Sequence, residues 1–406
     1  MNLLHSENVN SCGIVRPWVA YVGPFAFPNG GAAARRILGV SKSMQAAGFD
    51  VKVACGQVGN AGHTSEWFEG IEVFSLAERT SEHLPRLLKH MTYFFMGSKT
   101  VAWLDSLEYK PQTLILYSGY SPYLLNLLPW ARRNRVHLVF DAVEWYDPHS
   151  FLGWLSPYQI NIELAMRLLL PRVGHVLSIS HFLHHYYLAR GCQSLLMPPT
   201  LDVTAIVWRT EGRATKSPLK LVYAGSPGRK DLLNSIVEAV LRMRSNGHVL
   251  RLSVAGIAVK EAGDYPAVRN RAPEEVALGV DFVGMLSHEA SMALVREADF
   301  SLLLRQDARY SRAGFPTKFV ESFAVGTPVI ANLTSDLAHY LKEGETGFIC
   351  AGSSPEDMEI ALTRALTITN EQHSRMRARC RTLATEAFDY RTLAAPLSKF
   401  LPSAQI

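Results

Sequence analysis

The chain has 406 residues, of which 48% are hydrophobic, and its 41 basic and 36 acidic residues give a formal net charge of +5. Because domains usually contain roughly 100–200 residues, this length predicts two of them. The basic excess is spread along the chain without a Lys/Arg block, which argues against a nucleic-acid binder. Five scattered cysteines without a Cys-x-x-Cys pair argue against a zinc site or disulfide framework and favour a reducing compartment, the cytoplasm.

The sequence predicts at most a peripheral contact with membranes. The N-terminal residues lack the pattern of a secretory signal, and no run of about 18 apolar residues is long enough to span a bilayer. Residues 84–104 mix cations such as Arg86 and Lys99 with aromatic residues such as Tyr93 and Trp103. This segment either lies on an anionic membrane, at its inner face, or is a core helix whose cations reach out to water.

Short apolar runs alternate with helix-patterned segments along the chain. The runs are WVAYVG, VKVAC, TLILYSG, VHLVFDA, HVLSIS, LKLVYAG, LRLSVAG, VDFVG, FSLLLR and PVIAN. Runs that are apolar on both faces are typical of parallel strands covered by helices. The pattern predicts two consecutive α/β units.

Residues 198–218 have prolines at both ends and no clear period, which suits a connection between domains. We therefore predict a first domain over residues 1–204 and a second over residues 205–387. The C-terminal stretch is helix-patterned up to Pro396 and is followed by no strand. We expect its last part, about 388–406, to pack back on the first domain.

Gly30 and Gly31 follow the first predicted strand, where backbone N–H groups face a ligand in doubly wound sheets. A phosphate or a sugar could rest there, although a glycine pair alone equally fits a structural turn. No G-x-G-x-x-G is followed by an acidic residue on the next strand, which argues against a nicotinamide dinucleotide site.

A glycine-containing loop follows the first strand of the second half. It contains Gly225 and Gly228, and Arg229 and Lys230 stand where the next helix begins. Cations at a helix N-terminus oppose the helix dipole but are well placed to bind a diphosphate. The alternative is a solvated basic turn.

The stretch SRAGFPTKFVESFAVGTPVIAN places Gly314, Phe315 and Pro316 before a helix that we expect to begin near Thr317. Lys318 and Glu321 lie one turn apart on one face of that helix. A carboxylate there can accept two hydrogen bonds from a ribose diol, and Lys318 can meet phosphate. An ordinary ion pair on the helix surface is the alternative.

Three carboxylates, Asp141, Glu144 and Asp147, follow a strand of the first half, with Trp145 and Tyr146 between them. Carboxylates and aromatic faces suit sugar hydroxyls and C–H faces, and a capped helix start explains them equally well. His181, His184 and His185 have no accompanying carboxylate or cysteine ligand, and no Asp-x-Asp pair occurs in the chain. We therefore expect no metal.

Taken together, these stretches resemble the retaining glycosyltransferases of family 4, which have the GT-B fold of two facing Rossmann-like domains. The most specific part is GFPTKFVESFAVGTPVIA, which is similar to the family's motif around its donor-binding glutamates. The resemblance implies that Glu321 holds the donor ribose and that Lys230 is the phosphate-binding lysine. It covers nearly the whole chain.

Two positions depart from the family pattern. Ala313 stands where most members have the first of two glutamates, which lies against the transferred sugar. Ser226 stands where an arginine usually follows the strand-end glycine, so we expect Arg229 or Arg305 to replace that arginine. The run GFPTKFVE also resembles a subgroup in which Lys318 supplies charge to the phosphates.

The resemblance implies glycosyl transfer from a nucleoside diphosphate sugar, a UDP- or GDP-sugar, to an acceptor hydroxyl, with retention and without a metal. Cations and the N–H groups around Phe315 and Thr317 would stabilise the departing diphosphate. Glu144 or Asp141 is expected to touch the sugar or the incoming hydroxyl. A lipid-linked glycan is the expected acceptor, in cell-surface polysaccharide synthesis. The alternatives are a non-catalytic nucleotide-sugar binder and a nucleotide-sugar epimerase.

Overall fold

The computed structural model describes residues 17–58, 65–78, 95–118, 121–147, 156–209, 211, 218–228 and 230–402. Within these ranges the strands form two sheets. The strands of the first sheet are Trp18–Gly23 (β1), Asp50–Cys55 (β2), Glu66–Phe68 (β3), Ile71–Ser75 (β4), Thr113–Tyr117 (β5), His137–Ala142 (β6), His175–Ser178 (β7) and Gln193–Leu196 (β8). Those of the second are Leu219–Ala224 (β9), Leu250–Ala255 (β10), Val280–Gly284 (β11), Phe300–Leu303 (β12), Val329–Asn332 (β13) and Gly347–Cys350 (β14).

Helices connect the strands within each sheet. In the first unit they are Gly31–Ala46, Ser98–Ser106, Ser121–Arg133, Pro157–Leu164 and His181–Leu188, with a π turn at Ala165–Leu169 and a 3-10 turn at Leu170–Arg172. In the second they are Leu233–Ser245, Pro266–Arg269, Pro273–Gly279, His288–Glu297, Arg309–Ala313, Thr317–Ala324, Leu337–Tyr340, Pro355–Thr367 and Asn370–Ala387, with a 3-10 turn at Val259–Asp264. No helix among the described residues is both long and apolar enough to cross a membrane.

The strand order is β3-β4-β2-β1-β5-β6-β7-β8 in the first sheet and β11-β10-β9-β12-β13-β14 in the second. All neighbouring strands are parallel except β3 and β4. The order in which strands are added reverses at β1 in one sheet and at β9 in the other. The strands on both sides of β1, and on both sides of β9, come later in the sequence. Both units are therefore doubly wound, which confirms the predicted fold class.

All ten strands predicted from the apolar runs are present, and all except the edge strand β11 are buried along most of their length. The sequence prediction missed β3, β4, β8 and β14. Three of these lie at a sheet edge, and all four are only three to five residues long. One apolar cluster contains Trp145 from the first unit and Phe315 from the second. The facing ends of the two units are therefore packed against each other.

The C-terminal segment crosses back to the first unit. The expectation of one helix up to Pro396 is wrong, because the helix ends at Ala387 and Asp389 is extended. A 3-10 turn at Tyr390–Leu393 then leads into the helix Ala394–Phe400. Leu397 of that helix is fully buried and belongs to the apolar cluster that surrounds β1 and the helix Gly31–Ala46.

The returning segment pairs with the outgoing connection between the units. Leu201 N–H donates to Phe388 O (3.0 Å), and Tyr390 N–H donates to Leu201 O (3.1 Å). The Asp389 carboxylate also accepts a hydrogen bond from the backbone N–H of Val203 at 3.1 Å. The two passages of the chain between the units therefore run side by side.

Candidate active site

A cavity of about 400 Å³ lies between the two units, beyond the carboxyl ends of their central strands. Its wall on the first unit consists of Ala32, Arg36, Tyr117, Val143, Glu144, Tyr146 and Ile179. Its wall on the second unit consists of Ser226, Pro227, Gly228, Lys230, Asp231, Arg305, Gly314, Phe315, Pro316, Thr317 and Lys318. In doubly wound sheets the strand-order reversal leaves a crevice at this place, which is where ligands bind.

The loop after β9 forms part of the floor of the cavity. Gly225 has φ +119°, and a Cβ at this position would lie 3.2 Å from Cε of Lys318. A larger residue would therefore be strained and would press on the lysine. The predicted donor-binding residues Ser226 and Lys230 line the cavity, whereas Arg229 lies outside the described residues.

Lys230 reaches across the cavity to the first unit. Its ammonium forms an ion pair with the Glu144 carboxylate and lies 4.8 Å from the centre of the Tyr146 ring. The two charged side chains are 23% and 37% exposed, so they remain accessible to a ligand. Burial, and then the Glu144 charge, raise the pKa of Tyr146, which stays a neutral phenol. Of the residues predicted as catalytic, Glu144 and Lys230 are thus brought together.

The helix Thr317–Ala324 begins at the cavity wall, as predicted. Its N-cap is Pro316, which has no side-chain oxygen to cap the first-turn N–H groups. Gly314, Phe315 and Thr317 also line the cavity. The start of this helix therefore presents backbone donors and a partial positive charge to whatever occupies the cavity.

Lys318, Asp231, Arg305 and Tyr223 form a connected polar cluster behind this helix start. Arg305 Nε lies 2.8 Å from Asp231 Oδ1, and the Lys318 ammonium pairs with Asp231 Oδ2. The Tyr223 hydroxyl also donates to Asp231 Oδ2, at 2.7 Å. Burial raises the pKa of Asp231, but the Arg305 and Lys318 charges outweigh burial, and the pKa is lowered.

Glu321 lies beside the cavity and not in its wall. The Arg35 Nη1 atom lies 2.9 Å from Glu321 Oε1, and the Glu321 side chain is 15% exposed. Although these two atoms are close, Glu321 Oε1 accepts no hydrogen bond of good geometry. Burial raises the pKa of Glu321 above its usual value of 4.5, although the Arg35 and Lys318 charges oppose the rise.

The other predicted residues of the first unit do not line the cavity. Asp141 is fully buried, and its carboxylate is engaged by Arg36 at 2.8 Å and by the Tyr21 hydroxyl. Gly30 and Gly31 form the turn before the helix Gly31–Ala46. A Cβ on Gly30 would lie 2.0 Å from Ala26 O, and Gly31 has φ +62°, so the backbone itself requires both glycines.

Ala313 is fully buried in the apolar cluster that joins the units. Its carbonyl oxygen accepts a hydrogen bond from the Ser180 hydroxyl of the first unit at 2.7 Å. Ala313 has no exposed surface, and its neighbours in the cluster are apolar side chains of both units. The residue at this position is therefore part of the interface between the units.

The charged residues at the cleft that sequence reasoning missed include Asp231, Arg35, Arg36 and Arg309. Arg309 Nη2 donates to Tyr146 O at 2.8 Å and to Glu163 Oε1 at 2.7 Å. A signal was present only for Asp231, which directly follows the predicted phosphate-binding Lys230. The three arginines lie on helices, and their partners are more than one hundred residues away in the chain.

The histidine pattern has a structural explanation. His181 Nδ1 lies 3.0 Å from Asp336 Oδ2, and the His181 backbone N–H donates to the same carboxylate at 2.9 Å. The part of the chain that the structure describes contains no cluster of three or more metal-ligating side chains.

The segment 84–104 is only partly within the described residues, because residues 84–94 are not among them. Lys99 and Trp103 lie on the helix Ser98–Ser106, where Lys99 Nζ donates to Ala77 O at 2.7 Å and Trp103 packs on Phe74. The membrane contact expected of this segment stays a prediction.

The chain matches two known protein families over most of its length. Residues 31–197 match the Glycosyl transferase 4-like domain, and residues 207–383 match Glycosyl transferases group 1. Sucrose-phosphate synthase from Thermosynechococcus elongatus has a similar structure, with a TM-score of 0.69, 17% identity, and coverage of 95% of this chain and 98% of that one. The fold and the families define a GT-B enzyme. The chain belongs to the family-4 type of glycosyltransferases.

Two further similar proteins are one solved with UDP and glucose and a glycogen synthase. The structure of HepE from Anabaena in complex with UDP and glucose has a TM-score of 0.63 and 14% identity, and the match covers 95% of this chain and 99% of that one. Glycogen synthase of Mycobacterium tuberculosis is 25% identical over 193 residues, which are 47% of this chain and 44% of the relative. The chain thus spans less than half the length of that curated relative.

Proposed function

We propose that this glycosyltransferase moves a sugar from a nucleoside diphosphate sugar to an acceptor hydroxyl, with retention at the anomeric carbon and without a metal ion. The observation that carries the proposal is the wall of the cavity on the second unit. There Lys230, Lys318 and Arg305 stand together with the uncapped start of the helix Thr317–Ala324. Cations and free backbone donors are what a diphosphate requires.

The chemistry follows from the place where charge develops. The bond between the anomeric carbon and the diphosphate oxygen breaks, and the electron pair leaves with the diphosphate. The acceptor oxygen forms the new bond and passes its proton to the departing diphosphate oxygen. The departing diphosphate gains negative charge, and groups already fixed around it stabilise that charge without reorganising. We assign this role to Lys230, to Lys318 and to the N–H groups near Phe315 and Thr317.

The first unit would provide the acceptor side of the reaction. Glu144 is the carboxylate of that unit among the described residues of the cavity wall, and it reaches Lys230 of the second unit. We assign Glu144 to the sugar or to the incoming hydroxyl. Asp141 would act only indirectly, by fixing Arg36 at the edge of the cavity.

Glu321 would hold the donor ribose. A carboxylate can accept hydrogen bonds from both hydroxyls of a vicinal diol, and Glu321 lies one helical turn beyond Lys318. Its present partner, Arg35, comes from the first unit and is 37% exposed, so a ribose can displace it without leaving a buried cation. The bound UDP in the structure of HepE supports a UDP-sugar as the first donor to test.

The acceptor proposed here is a lipid-linked glycan in cell-surface polysaccharide synthesis. The similarity to a glycogen synthase supports a growing polysaccharide as acceptor. A membrane-lipid extract in the assay would supply a lipid-linked acceptor of unknown structure.

The test is to incubate the purified protein with a panel of UDP- and GDP-sugars and to measure release of the nucleoside diphosphate, with and without that extract. The configuration of the product at the anomeric carbon is read by NMR. We expect release from one donor, and a loss of about a hundredfold or more in Glu321→Ala and Lys230→Ala. The matched controls are Glu274→Ala and Lys260→Ala, which change exposed residues of the second unit and should keep full activity.

A second candidate, a non-catalytic nucleotide-sugar binder, is favoured by one observation: the buried Ala313 at the position of the family's first glutamate. For this candidate the protein would bind a nucleotide sugar and release nothing with any acceptor. Binding without turnover in the assay above would therefore replace the transferase proposal. An epimerase would instead convert the donor when no acceptor is present.

A further inference from the structure

The wall that we assign to an anionic diphosphate contains one carboxylate, Asp231, in the middle of its cations. A negative charge at this place repels a bound diphosphate, so its presence requires another reason. Asp231 is only 2% exposed at its side chain, and neither of its oxygens is left free. One oxygen faces Arg305, and the other faces Lys318 and the Tyr223 hydroxyl.

The backbone fixes Asp231 and Arg305 relative to each other. The two residues form an isolated antiparallel bridge, and the next residue, Leu232, donates its N–H to Leu304 O at 2.8 Å. Asn332 clamps Arg305 further: its Oδ1 accepts from Arg305 N–H (3.0 Å), and its Nδ2 donates to Arg305 O (2.7 Å). The carboxylate therefore sits on a rigid platform.

Lys318 depends on that platform, because its charged end is carried on a flexible four-carbon stem. Nζ donates to the Tyr223 hydroxyl at 2.5 Å and lies 4.0 Å from the centre of the Tyr223 ring. Burial lowers the pKa of Lys318, the Asp231 carboxylate raises it, and the neighbouring Arg305 charge lowers it again. Without Asp231, the positive charges of Lys318 and Arg305 would repel each other in a largely buried part of the wall.

We infer that Asp231 is a positioning residue that holds Lys318 and Arg305 toward the diphosphate end of the cavity. This inference rests on the proposed function, since it assigns a role within the same site. Asp231 lines the cavity, but both of its oxygens are already engaged by protein groups. It acts through the two cations: its ion pairs hold the two side chains in place, and its charge offsets part of theirs.

The test is calorimetric titration with UDP, GDP and inorganic pyrophosphate between pH 6 and pH 10, for the wild type and Asp231→Asn. A carboxylate that only adds negative charge would, when removed, tighten the binding of these anions. A positioning carboxylate would, when removed, weaken it. We expect Asp231→Asn to bind pyrophosphate about tenfold more weakly and to lose affinity at an alkaline midpoint about one pH unit lower, as Lys318 gives up its proton earlier.

Two further variants test whether the effect comes from the charge at position 231 and whether it is specific to the cavity. Asp231→Glu keeps the charge and should restore the wild-type alkaline midpoint. Asp281→Asn is the matched control, because Asp281 pairs with Arg251 at 2.5 Å on the exposed edge of the same unit, away from the cavity. It should leave both binding and the pH profile unchanged. Equal or tighter binding by Asp231→Asn, with an unchanged alkaline midpoint, would overturn the inference.

If Asp231→Asn does not fold, Lys318→Met and the double variant Asp231→Asn/Lys318→Met carry the test, because removing both partners of a buried pair is tolerated better than removing one. We expect Lys318→Met to lose about tenfold in pyrophosphate affinity. The double variant should bind about threefold more weakly still, because Arg305 also loses its partner, and tighter binding by the double variant would overturn the inference. Lys318→Met binding like the wild type would overturn the inference. A wild type that binds pyrophosphate but no nucleotide would contradict the proposed function alone, and binding of neither would contradict both.

Discussion

Arg35 and Glu321 form an ion pair across the cleft, with Nη1 of the arginine 2.9 Å from Oε1 of the glutamate. Arg35 lies on the helix Gly31–Ala46 of the first unit, and Glu321 lies on the helix Thr317–Ala324 of the second. The charge of the residue that we assign to the donor ribose is thus met by a cation of the opposite unit. Occupation of the cavity and separation of this pair are expected to be linked.

The first prediction concerns the pH dependence of donor binding. Burial raises the pKa of Glu321, and the Arg35 charge lowers it. In Arg35→Ala the pKa rises further, so nucleotide affinity should begin to fall at a higher pH than in the wild type as the carboxylate takes up a proton. Titration calorimetry across pH 5–8 measures this midpoint. Arg35→Lys keeps the charge and should keep the midpoint, and an unchanged midpoint in Arg35→Ala would show that Arg35 does not act on Glu321.

The second prediction concerns stability. Because folding raises the pKa of Glu321, the ionised carboxylate opposes folding at neutral pH, and this cost disappears below the unfolded value of about 4.5. Glu321→Gln should therefore increase the free energy of unfolding by about 1 kcal/mol at pH 7 and by nothing near pH 4, while nucleotide binding is lost. Denaturant melts at the two pH values provide the comparison. Glu343→Gln, in an exposed pair with Arg364, should not stabilise at pH 7.

The third prediction concerns the substitution that would restore the family pattern. Ala313→Glu would place a carboxylate in the apolar cluster between the units, at a position with no exposed surface. We expect it to lower the free energy of unfolding by roughly 3 kcal/mol and to reduce activity through loss of fold. Thermal unfolding followed by circular dichroism measures this. Ala378→Glu, on the exposed face of the helix Asn370–Ala387, is the control and should melt like the wild type. A gain of turnover in well-folded Ala313→Glu would contradict this view.

The fourth prediction concerns Arg309, which binds the first unit through Tyr146 O and Glu163. Arg309→Ala should cost about 2 kcal/mol at pH 7. Burial raises the pKa of Glu163, but its bonds to Arg167 and Arg309 lower it below the usual 4.5. A lowered pKa stabilises the folded state above pH 4.5, and this stabilisation is lost as the pH falls through the folded value. The difference between wild type and variant should therefore shrink in acid.

Urea melts between pH 3 and pH 7 provide the measurement for Arg309. Arg312→Ala is the matched control, because Arg312 lies on the same helix but pairs with Asp307 at an exposed position. A constant difference between wild type and Arg309→Ala at all pH values would mean that Glu163 does not contribute through its charge.

The fifth prediction concerns metals. If the cations of the wall alone stabilise the departing diphosphate, treatment with EDTA should leave the transfer rate within about twofold of the untreated protein. The rate of nucleoside diphosphate release is measured before and after chelation, and again after Mg²⁺ or Mn²⁺ is returned. A loss that either ion restores would contradict the metal-independent reaction.

The fold could be predicted from the sequence because its central strands are apolar on both faces, and such runs are visible in one chain. The helix start at Thr317 could also be predicted, since Gly314 and Pro316 mark it. Arg35 could not be connected with Glu321, because nothing in two distant helices indicates which of their faces meet. Asp141 resembled a ligand-binding carboxylate until the structure placed Arg36 against it. Short edge strands such as β3 could not be predicted from the sequence, because their side chains are exposed or half-buried and form no apolar run.

The connection between the units consists of two hydrogen-bonded passages of the chain, at Leu201 and at Phe388–Tyr390. A single linker would allow twisting about its own axis, whereas two hydrogen-bonded segments side by side resist twisting and bend most easily together. The cleft should therefore open and close by rotation of the units about a single axis that passes through these two segments. Each closure would then return Lys230 to Glu144 and Arg35 to Glu321 in the same register.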